Sequence, residues 1–172
     1  MISISVTGHR PDKLWGYDLN HHKYTVLKQI IMHDIVRIWW ENEHHPTDTR
    51  IECISGMALG VDTIFAEAII EMKSCHNMKL IAAVPCLNQD SRWCDVDRQR
   101  YAYILSKVDE IVHVSNKPYS NGCMQDRNQY MINRCDVLLA VYNGDKTGGT
   151  ADAVKRAIQA NKVIVSINPK EI

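Results

Sequence analysis

The apolar residues of the chain alternate between short continuous runs and longer stretches in which they recur at helical spacing. The continuous runs predict buried strands over Met1–Val6, Ile51–Ile54, Met78–Val84, Glu110–Val114, Asp136–Tyr142 and Lys162–Ile167. The helical spacing predicts helices over His22–Trp40, Gly60–Lys73, Val96–Lys107, Cys123–Arg134 and Thr150–Asn161, and the polar segment Glu41–Arg50 predicts a loop. Such alternation is typical of βαβ units, so we predict a mainly parallel sheet covered by helices on both faces.

Length and composition fit one globular domain over residues 1–172, long enough to bury a sizeable core. The chain has 20 Lys and Arg residues and 20 Asp and Glu residues, so no global positive field would attract nucleic acid. No apolar run reaches the length of a membrane span, and the first residues resemble a strand rather than a signal peptide. We therefore expect a cytoplasmic protein without a membrane partner.

Two pairs of adjacent histidines, His21-His22 and His44-His45, are the first candidates for metal ligands. Neither pair has further ligands at metal-binding spacing, and both flank polar or loop segments, so we interpret them as exposed loop residues. The six cysteines include no CxxC pair, and a disulfide framework is not expected in a chain with so much core. The sequence predicts no metal and no cofactor.

The segment Ser55–Asp62 has the features of a strand end, a glycine turn and a helix start. Glycine lets a ligand approach the backbone closely, and the free N–H groups of a helix start attract anions. An alternative is that the glycines serve turn geometry alone, and Asp62 either caps the helix or bonds a sugar hydroxyl. The candidate ligand-binding residues here are Ser55, Gly56, Leu59, Gly60 and Asp62.

Three further loops follow strands of the predicted sheet, and ligands bind beyond the carboxyl ends of parallel strands. They carry Thr7, Gly8, His9 and Arg10 after the first strand, Pro85, Arg92 and Trp93 after the third, and Gly148, Gly149 and Thr150 after the fifth. Arg10 has the forked donors that suit phosphate, Arg92-Trp93 could clamp a base, and the last loop opens a helix. A solvated arginine, an exposed Arg-Trp pair and a threonine N-cap would explain the same residues.

The helix Cys123–Arg134 adds two polar candidates, Arg127 and Asn128. Asn128 either addresses a base or holds a neighbouring loop, whereas Met131 and Ile132 are expected in the core. The glycines fit neither the GxGxxG dinucleotide fingerprint nor a Walker P-loop. The prediction of a ligand-binding site therefore rests on several loops that converge on one edge of the sheet, and not on any single motif.

Taken together and in order, five motifs resemble the YpsA-like group of the SLOG superfamily over nearly the whole chain. They are Thr7–Pro11, Ser55–Asp62, Ile81–Cys86, Arg127–Met131 and Gly148–Thr150. The resemblance implies a Rossmann-like, three-layer α/β/α fold. The superfamily includes Smf/DprA proteins that bind single-stranded DNA, LOG enzymes that cleave nucleoside monophosphates, and sensor domains for nucleotide-derived signals. The resemblance to the YpsA-like group itself implies no settled activity.

The chain departs from the LOG pattern where that pattern carries its acidic residues. LOG enzymes have a Gly-Gly-x-Gly-Thr turn followed by two acidic positions, whereas Gly148-Gly149-Thr150 lacks the inserted pair. Asp152 fills the first acidic position, but Ala153 stands where the resemblance places a catalytic Glu. Because N-glycosidic cleavage normally needs carboxylates, a hydrolase using Asp152, or alternatively Asp62, is the second hypothesis.

The leading hypothesis is a binding protein, either a sensor or a sequestering protein, for a nucleoside phosphate or an ADP-ribose-like compound. A nucleic-acid or protein-interaction module is the third hypothesis, which the zero net charge does not favour. Superfamily relatives are often oligomers, and the first helix carries the adjacent Trp39 and Trp40. We therefore expect a homo-oligomer that uses a helix face.

Overall fold

The computed structural model describes residues 1–41 and 50–172, which form a sheet of six parallel strands flanked by helices. The strands are β1 (Ile2–Gly8), β2 (Ile51–Ser55), β3 (Met78–Val84), β4 (Glu110–His113), β5 (Val137–Val141) and β6 (Val163–Ile167). The helices are α1 (His22–Glu41), α2 (Val61–Met72), α3 (Asp95–Leu105), α4 (Cys123–Arg134) and α5 (Gly149–Gln159). Two 3-10 helices span Pro11–Lys13 and Pro169–Glu171. The predicted loop Glu41–Arg50 lies mostly outside the described residues, and Glu41 itself ends α1.

The strand order is β4-β3-β2-β1-β5-β6, with every neighbouring pair parallel. On one face of the sheet α2 contacts both α1 and α3, and on the other face α4 contacts α5. This arrangement confirms the predicted Rossmann-like, three-layer α/β/α fold.

The two faces of the sheet bury separate hydrophobic clusters. On the α2 face, Phe65 is completely buried and belongs to the same cluster as Leu27 of α1 and Ile104 of α3. On the α4 face, the predicted core residues Met131 and Ile132 are both buried. Within the described residues, no helix combines the length and the apolar character needed to cross a membrane.

Most element ends differ from the predicted ones by one or two residues, and the change in β1 affects the site. Thr7 and Gly8 were predicted to form a turn, but they extend β1 because they pair with Ala140 and Val141 of β5. Asp136 was predicted within β5, but it precedes the strand, and its carboxylate accepts a 2.8 Å hydrogen bond from the Ser3 N–H. Thr7 and Gly8 therefore lie at the carboxyl-terminal edge of the sheet, beside the end of β5.

The chain reverses its direction across the sheet between β1 and β5. The strands β1 to β4 are added toward one edge, and β5 then returns to the other side of β1. The loops that follow two such strands separate at their carboxyl ends and leave a crevice, which is the usual ligand position in open α/β sheets. This crevice is where the predicted loops are expected to meet.

Candidate functional site

A cavity of 340 Å³ lies at the crevice between β1 and β5 and is lined by nine of the predicted ligand-binding residues. These residues are Thr7, Gly8, Arg10, Asp62, Arg127, Asn128, Gly148, Gly149 and Thr150. They come from four separate segments of the chain, which the fold brings to one edge of the sheet. We call this space the inner cavity.

A second cavity of 1290 Å³ adjoins the inner one, and Arg10 and Met124 line both. It lies above the loop that follows β3 and the start of α3, and it contains the predicted residues Leu59, Arg92 and Trp93. We call this space the outer cavity. Twelve of the predicted residues thus line one or both of two adjoining cavities, and the other five, His9, Ser55, Gly56, Gly60 and Pro85, line neither.

A buried ion pair joins α2 to α4 in the wall of the inner cavity. Arg127 Nη1 lies 3.1 Å from Asp62 Oδ2 and donates a second hydrogen bond, 2.5 Å long, to the carbonyl oxygen of Gly56. The same Asp62 oxygen accepts a 3.2 Å hydrogen bond from the Ala58 N–H. Burial raises the pKa of Asp62 above its usual value, while Arg127, the Ala58 N–H and Arg10 act in the opposite direction. Asp62 therefore holds the turn together through its Oδ2 atom.

Arg127 itself retains an unused donor inside the protein. Its side chain is 9% exposed, and its Nε is buried without a hydrogen-bond partner among the described residues. A buried donor left in this state costs about 1–3 kcal/mol. Arg127 thus fixes the turn through Nη1, while its Nε has no acceptor among the described residues.

The turn after β2 is closed by protein atoms rather than open to a ligand. Ser55 Oγ donates to the Asp62 carbonyl at 2.8 Å, and the Val61 N–H donates to the His9 carbonyl at 3.4 Å. Gly60 has φ of 100°, and a Cβ there would lie 2.6 Å from the His9 carbonyl oxygen. Gly60 is required because the loop after β1 passes directly over it.

The start of α5 presents the open helix end of the site. Gly148 is its N-cap with φ of 96°, no side chain caps the helix, and no atom lies within 4 Å of a Cβ built on Gly149. Asn128 Nδ2 donates to the Gly149 carbonyl at 3.2 Å and so fixes the entry to the helix. Free N–H groups and the positive end of the helix dipole therefore face the inner cavity beside Thr150.

Asp152, the candidate catalytic residue, is held by other side chains. Its carboxylate accepts hydrogen bonds from Arg156 Nε at 2.8 Å and from Asn128 Nδ2 at 3.2 Å. Partial burial acts to raise the pKa of Asp152, but these hydrogen bonds outweigh it and keep the pKa below its usual value. Asp152 is consequently an ionised, paired carboxylate that is poorly suited to act as a proton donor.

Two further predicted residues do not line either cavity. His9 is buried, and its Nε2 accepts a 3.4 Å hydrogen bond from the Asn143 N–H, which ties the loop after β1 to the loop after β5. Pro85 is buried at the end of β3. Both residues therefore support this edge of the sheet without lining either cavity.

Gln89 belongs to the predicted loop after β3, and the structure places it in the lining of the outer cavity. Gln89 Nε2 donates to the Met57 carbonyl at 3.0 Å, and Gln89 Oε1 accepts from the Tyr101 hydroxyl at 3.4 Å. Met57 is completely buried and has φ of 59°, an unfavourable conformation that these contacts maintain. Nothing in the sequence marks a methionine as a left-handed residue, so no pattern could have identified this link.

Among the described residues, no group of three or more His, Cys, Asp or Glu side chains could hold a metal ion. His22 begins α1 and is exposed, and His21 precedes it. The second pair, His44-His45, lies outside the described residues.

Comparisons with known proteins agree with this architecture. The model of a family described as the YspA SLOG family (YpsA) matches residues 4–171. A UPF0398 protein of Halalkalibacterium halodurans is 29% identical over 150 residues, covering 86% of this chain and 76% of that protein. UPF0398 proteins of Bacillus cereus and Bacillus thuringiensis are each 28% identical over 167 residues, covering 95% of this chain and 86% of theirs. With its parallel sheet and a family match over nearly its whole length, the chain belongs to the YpsA family of SLOG proteins.

Proposed function

We propose that the protein binds a nucleotide or nucleotide-derived compound, as a sensor or sequestering protein, with a phosphate group in the inner cavity. The observation that carries this proposal is the uncapped start of α5 beside the buried, unpartnered Nε of Arg127. The helix start supplies N–H donors to the inner cavity, and the guanidinium of Arg127, which lines the same cavity, supplies positive charge. Phosphate is the common ligand of such helix starts.

The charges around the inner cavity support an anion. Three cationic side chains, Arg10, Lys13 and Arg127, line it together with two carboxylates, Asp12 and Asp62. Lys13 is already paired with Asp145 at 3.1 Å, whereas the exposed Arg10 side chain makes no hydrogen bond to a described residue. Among the described residues, Arg10 is therefore a cation of the cavity wall that is still available to pair with a phosphate of the ligand.

The proposal is tested by a thermal-shift screen with nucleoside mono- and diphosphates, ADP-ribose and the matching nucleosides. A ligand that binds only the native state raises the melting temperature as its concentration exceeds its Kd. We expect shifts with phosphate-bearing compounds and none with the nucleosides. Equal melting-temperature shifts with nucleosides and nucleotides would rule out the phosphate site. So would the absence of a shift with any nucleotide.

Replacing Arg10 with alanine should weaken ADP binding about tenfold or more while leaving stability nearly unchanged. A hydrogen bond to a charged group contributes about 1.5–3 kcal/mol, and the Arg10 side chain makes no other hydrogen bond within the described residues. Titration calorimetry would measure the affinity. Arg98→Ala removes an arginine outside both cavities and is the matched control; equal affinities for the two variants would refute the role of Arg10.

The hydrolase hypothesis keeps Asp152 as its candidate, with Asp62 the other. Because both carboxylates already accept hydrogen bonds from protein donors, we favour binding over hydrolysis. Mass spectrometry of each mixture after the thermal-shift screen separates the two functions. Intact nucleotide supports a binding protein, and free base with sugar phosphate, lost in Asp152→Asn, would establish the hydrolase.

We also propose self-association through α1, where Trp40 is 78% exposed and Val36 is 36% exposed on the same helix face. Trp39, by contrast, packs against the main hydrophobic cluster. Light scattering at micromolar concentration should give an oligomeric mass for the unmodified protein and a smaller one for Trp40→Lys. A monomeric mass for the unmodified protein would exclude this interface. The cytoplasmic location and the absence of a nucleic-acid partner stay predictions.

A further inference from the structure

We propose that the ligand is a nucleoside diphosphate or a derivative of one, with its diphosphate running from the inner cavity to Arg10 and its base in the outer cavity. This inference rests on the proposed function and specifies which compound the same site takes. Three observations carry it: the position of Arg10, the distribution of charge, and the distribution of aromatic side chains.

Arg10 lies where the two cavities adjoin. It supplies a second positive charge, in addition to the phosphate-binding start of α5. It lines both spaces, and its charge acts on Asp62, the carboxylate bonded to Arg127. A single phosphate at the start of α5 would use the N–H groups and Arg127 and would leave Arg10 without an anion. A second phosphate in sequence with the first gives Arg10 its partner.

The charge around the outer cavity differs from that around the inner one. Arg10 and Arg92 are balanced there by Asp18 and Asp97, whereas cations outnumber carboxylates around the inner cavity. A balanced, polar lining does not favour a further phosphate, but its carboxylates can accept hydrogen bonds from sugar hydroxyls. The outer cavity therefore suits the uncharged half of a nucleotide.

Aromatic side chains line the outer cavity, and none of the described residues that line the inner cavity is aromatic. Trp93 is held edge-on to Tyr101, with ring centroids 5.2 Å apart and an interplanar angle of 79°. Tyr119, which is 66% exposed, lines the same space. A fixed indole and an accessible phenol ring offer stacking surfaces to a planar base.

The size of the outer cavity agrees with this division. Its 1290 Å³ is nearly four times the 340 Å³ of the inner cavity, which is close to the lower end of the volumes that small-molecule sites occupy. The inner cavity has room for a phosphate with its immediate neighbours, and the outer cavity accommodates a nucleoside with space for a further substituent. Derivatives extended beyond the diphosphate fit the same arrangement.

The test compares AMP with ADP, using calorimetry on the full chain and on the Arg10→Ala variant. We expect ADP to bind at least tenfold more tightly than AMP to the unmodified protein, and Arg10→Ala to reduce this ratio to about one. If AMP and ADP bind equally to the unmodified protein, or if Arg10→Ala weakens both by the same factor, the diphosphate assignment is wrong while the phosphate site stands.

The position of the base is tested with a matched pair of exposed tyrosines. Tyr119→Ala should weaken ADP binding severalfold and leave the affinity for inorganic pyrophosphate unchanged, whereas Tyr103→Ala, outside both cavities and 54% exposed, should change neither. Trp93→Leu, which keeps an apolar side chain against Tyr101, should weaken ADP binding about tenfold. Unchanged ADP affinity in both cavity variants would overturn the placement of the base. Absence of binding by AMP, ADP and pyrophosphate alike would overturn both this inference and the proposed function.

Discussion

Replacing Arg127 with methionine should destabilise the protein by about 3–5 kcal/mol at neutral pH, the usual cost of removing one partner of a buried ion pair. The loss is expected because Asp62, 6% exposed, would keep only the Ala58 N–H of its two recorded donors. The Gly56 carbonyl would lose its 2.5 Å donor at the same time and keep only the 3.5 Å hydrogen bond from Gln89 Nε2. Urea unfolding would show the effect as a lower midpoint with an unchanged m-value.

The size of this loss should depend on pH in a defined direction. Burial already raises the pKa of Asp62 with Arg127 present, and removing the positive charge raises it further. A carboxyl whose folded pKa exceeds its unfolded value favours folding when protonated, so the penalty is full above the folded pKa and falls as pH approaches the unfolded pKa. The Arg127→Met variant should therefore recover part of its stability, relative to the unmodified protein, as the pH is lowered from neutrality toward that unfolded value.

A second substitution distinguishes the ion pair from simple loss of packing. Asp62→Asn in the Arg127→Met background removes the unpaired charge, so the double variant should be more stable than Arg127→Met alone at neutral pH. A penalty that is independent of pH and unaffected by Asp62→Asn would mean that the aliphatic stem of Arg127, and not its charge, stabilises this region.

Gly56→Ala should destabilise the protein by about 2–4 kcal/mol, because the added methyl group displaces one partner of a buried ion pair. The added Cβ would lie 1.7 Å from Arg127 Nη1 and 2.8 Å from Asp62 Oδ2, so the guanidinium must leave its place. Gly56 does not have a positive φ, so the alanine backbone itself is unstrained and the effect isolates this contact. Thermal or urea unfolding would measure it.

Gly149→Ala is the matched control, because no atom lies within 4 Å of its built Cβ and its φ is also not positive. Alanine in the first turn of α5 should leave stability unchanged or raise it by up to about 1 kcal/mol. Gly56→Ala should also cost much less in the Arg127→Met background, which lacks the clashing nitrogen. Equal costs in the two backgrounds would show that Gly56 matters for another reason.

The elements of the fold could be predicted because their signals are local. The limits of β3 and α4 agree with the sequence expectation to the residue, since each apolar pattern stops where its element stops. Thr7 and Gly8 were misplaced because their strand conformation depends on pairing with Ala140 and Val141, far along the chain. Local composition favours a turn at Thr7-Gly8, and only the assembled sheet overrides it.

The site was predictable as a set of loops but not in its internal bonding. Ser55–Asp62 has the composition of an anion-binding turn. Its Ser55 hydroxyl and its Asp62 carboxylate, however, form hydrogen bonds to other groups of the protein. The pairing of Asp62 with Arg127 spans 65 positions and follows from topology rather than from any motif. The turn before α5 was only one of several glycine-containing turns in the sequence. The structure distinguishes it from the others because no side chain caps the helix that follows it.

β5 comes late in the chain but lies next to β1 in the sheet, and this order affects how the protein folds while it is being synthesised. β1 pairs with β2 early, but its other neighbour, β5, begins at Val137, so one edge of β1 has no strand partner until then. At about 5–20 residues per second, the roughly 130 residues in between take on the order of 7–26 seconds to translate. During that time the nascent chain exposes an apolar strand edge, which is a known starting point for aggregation. Chains truncated before β5 would keep this edge open permanently and would depend on chaperones in a way that the complete protein does not.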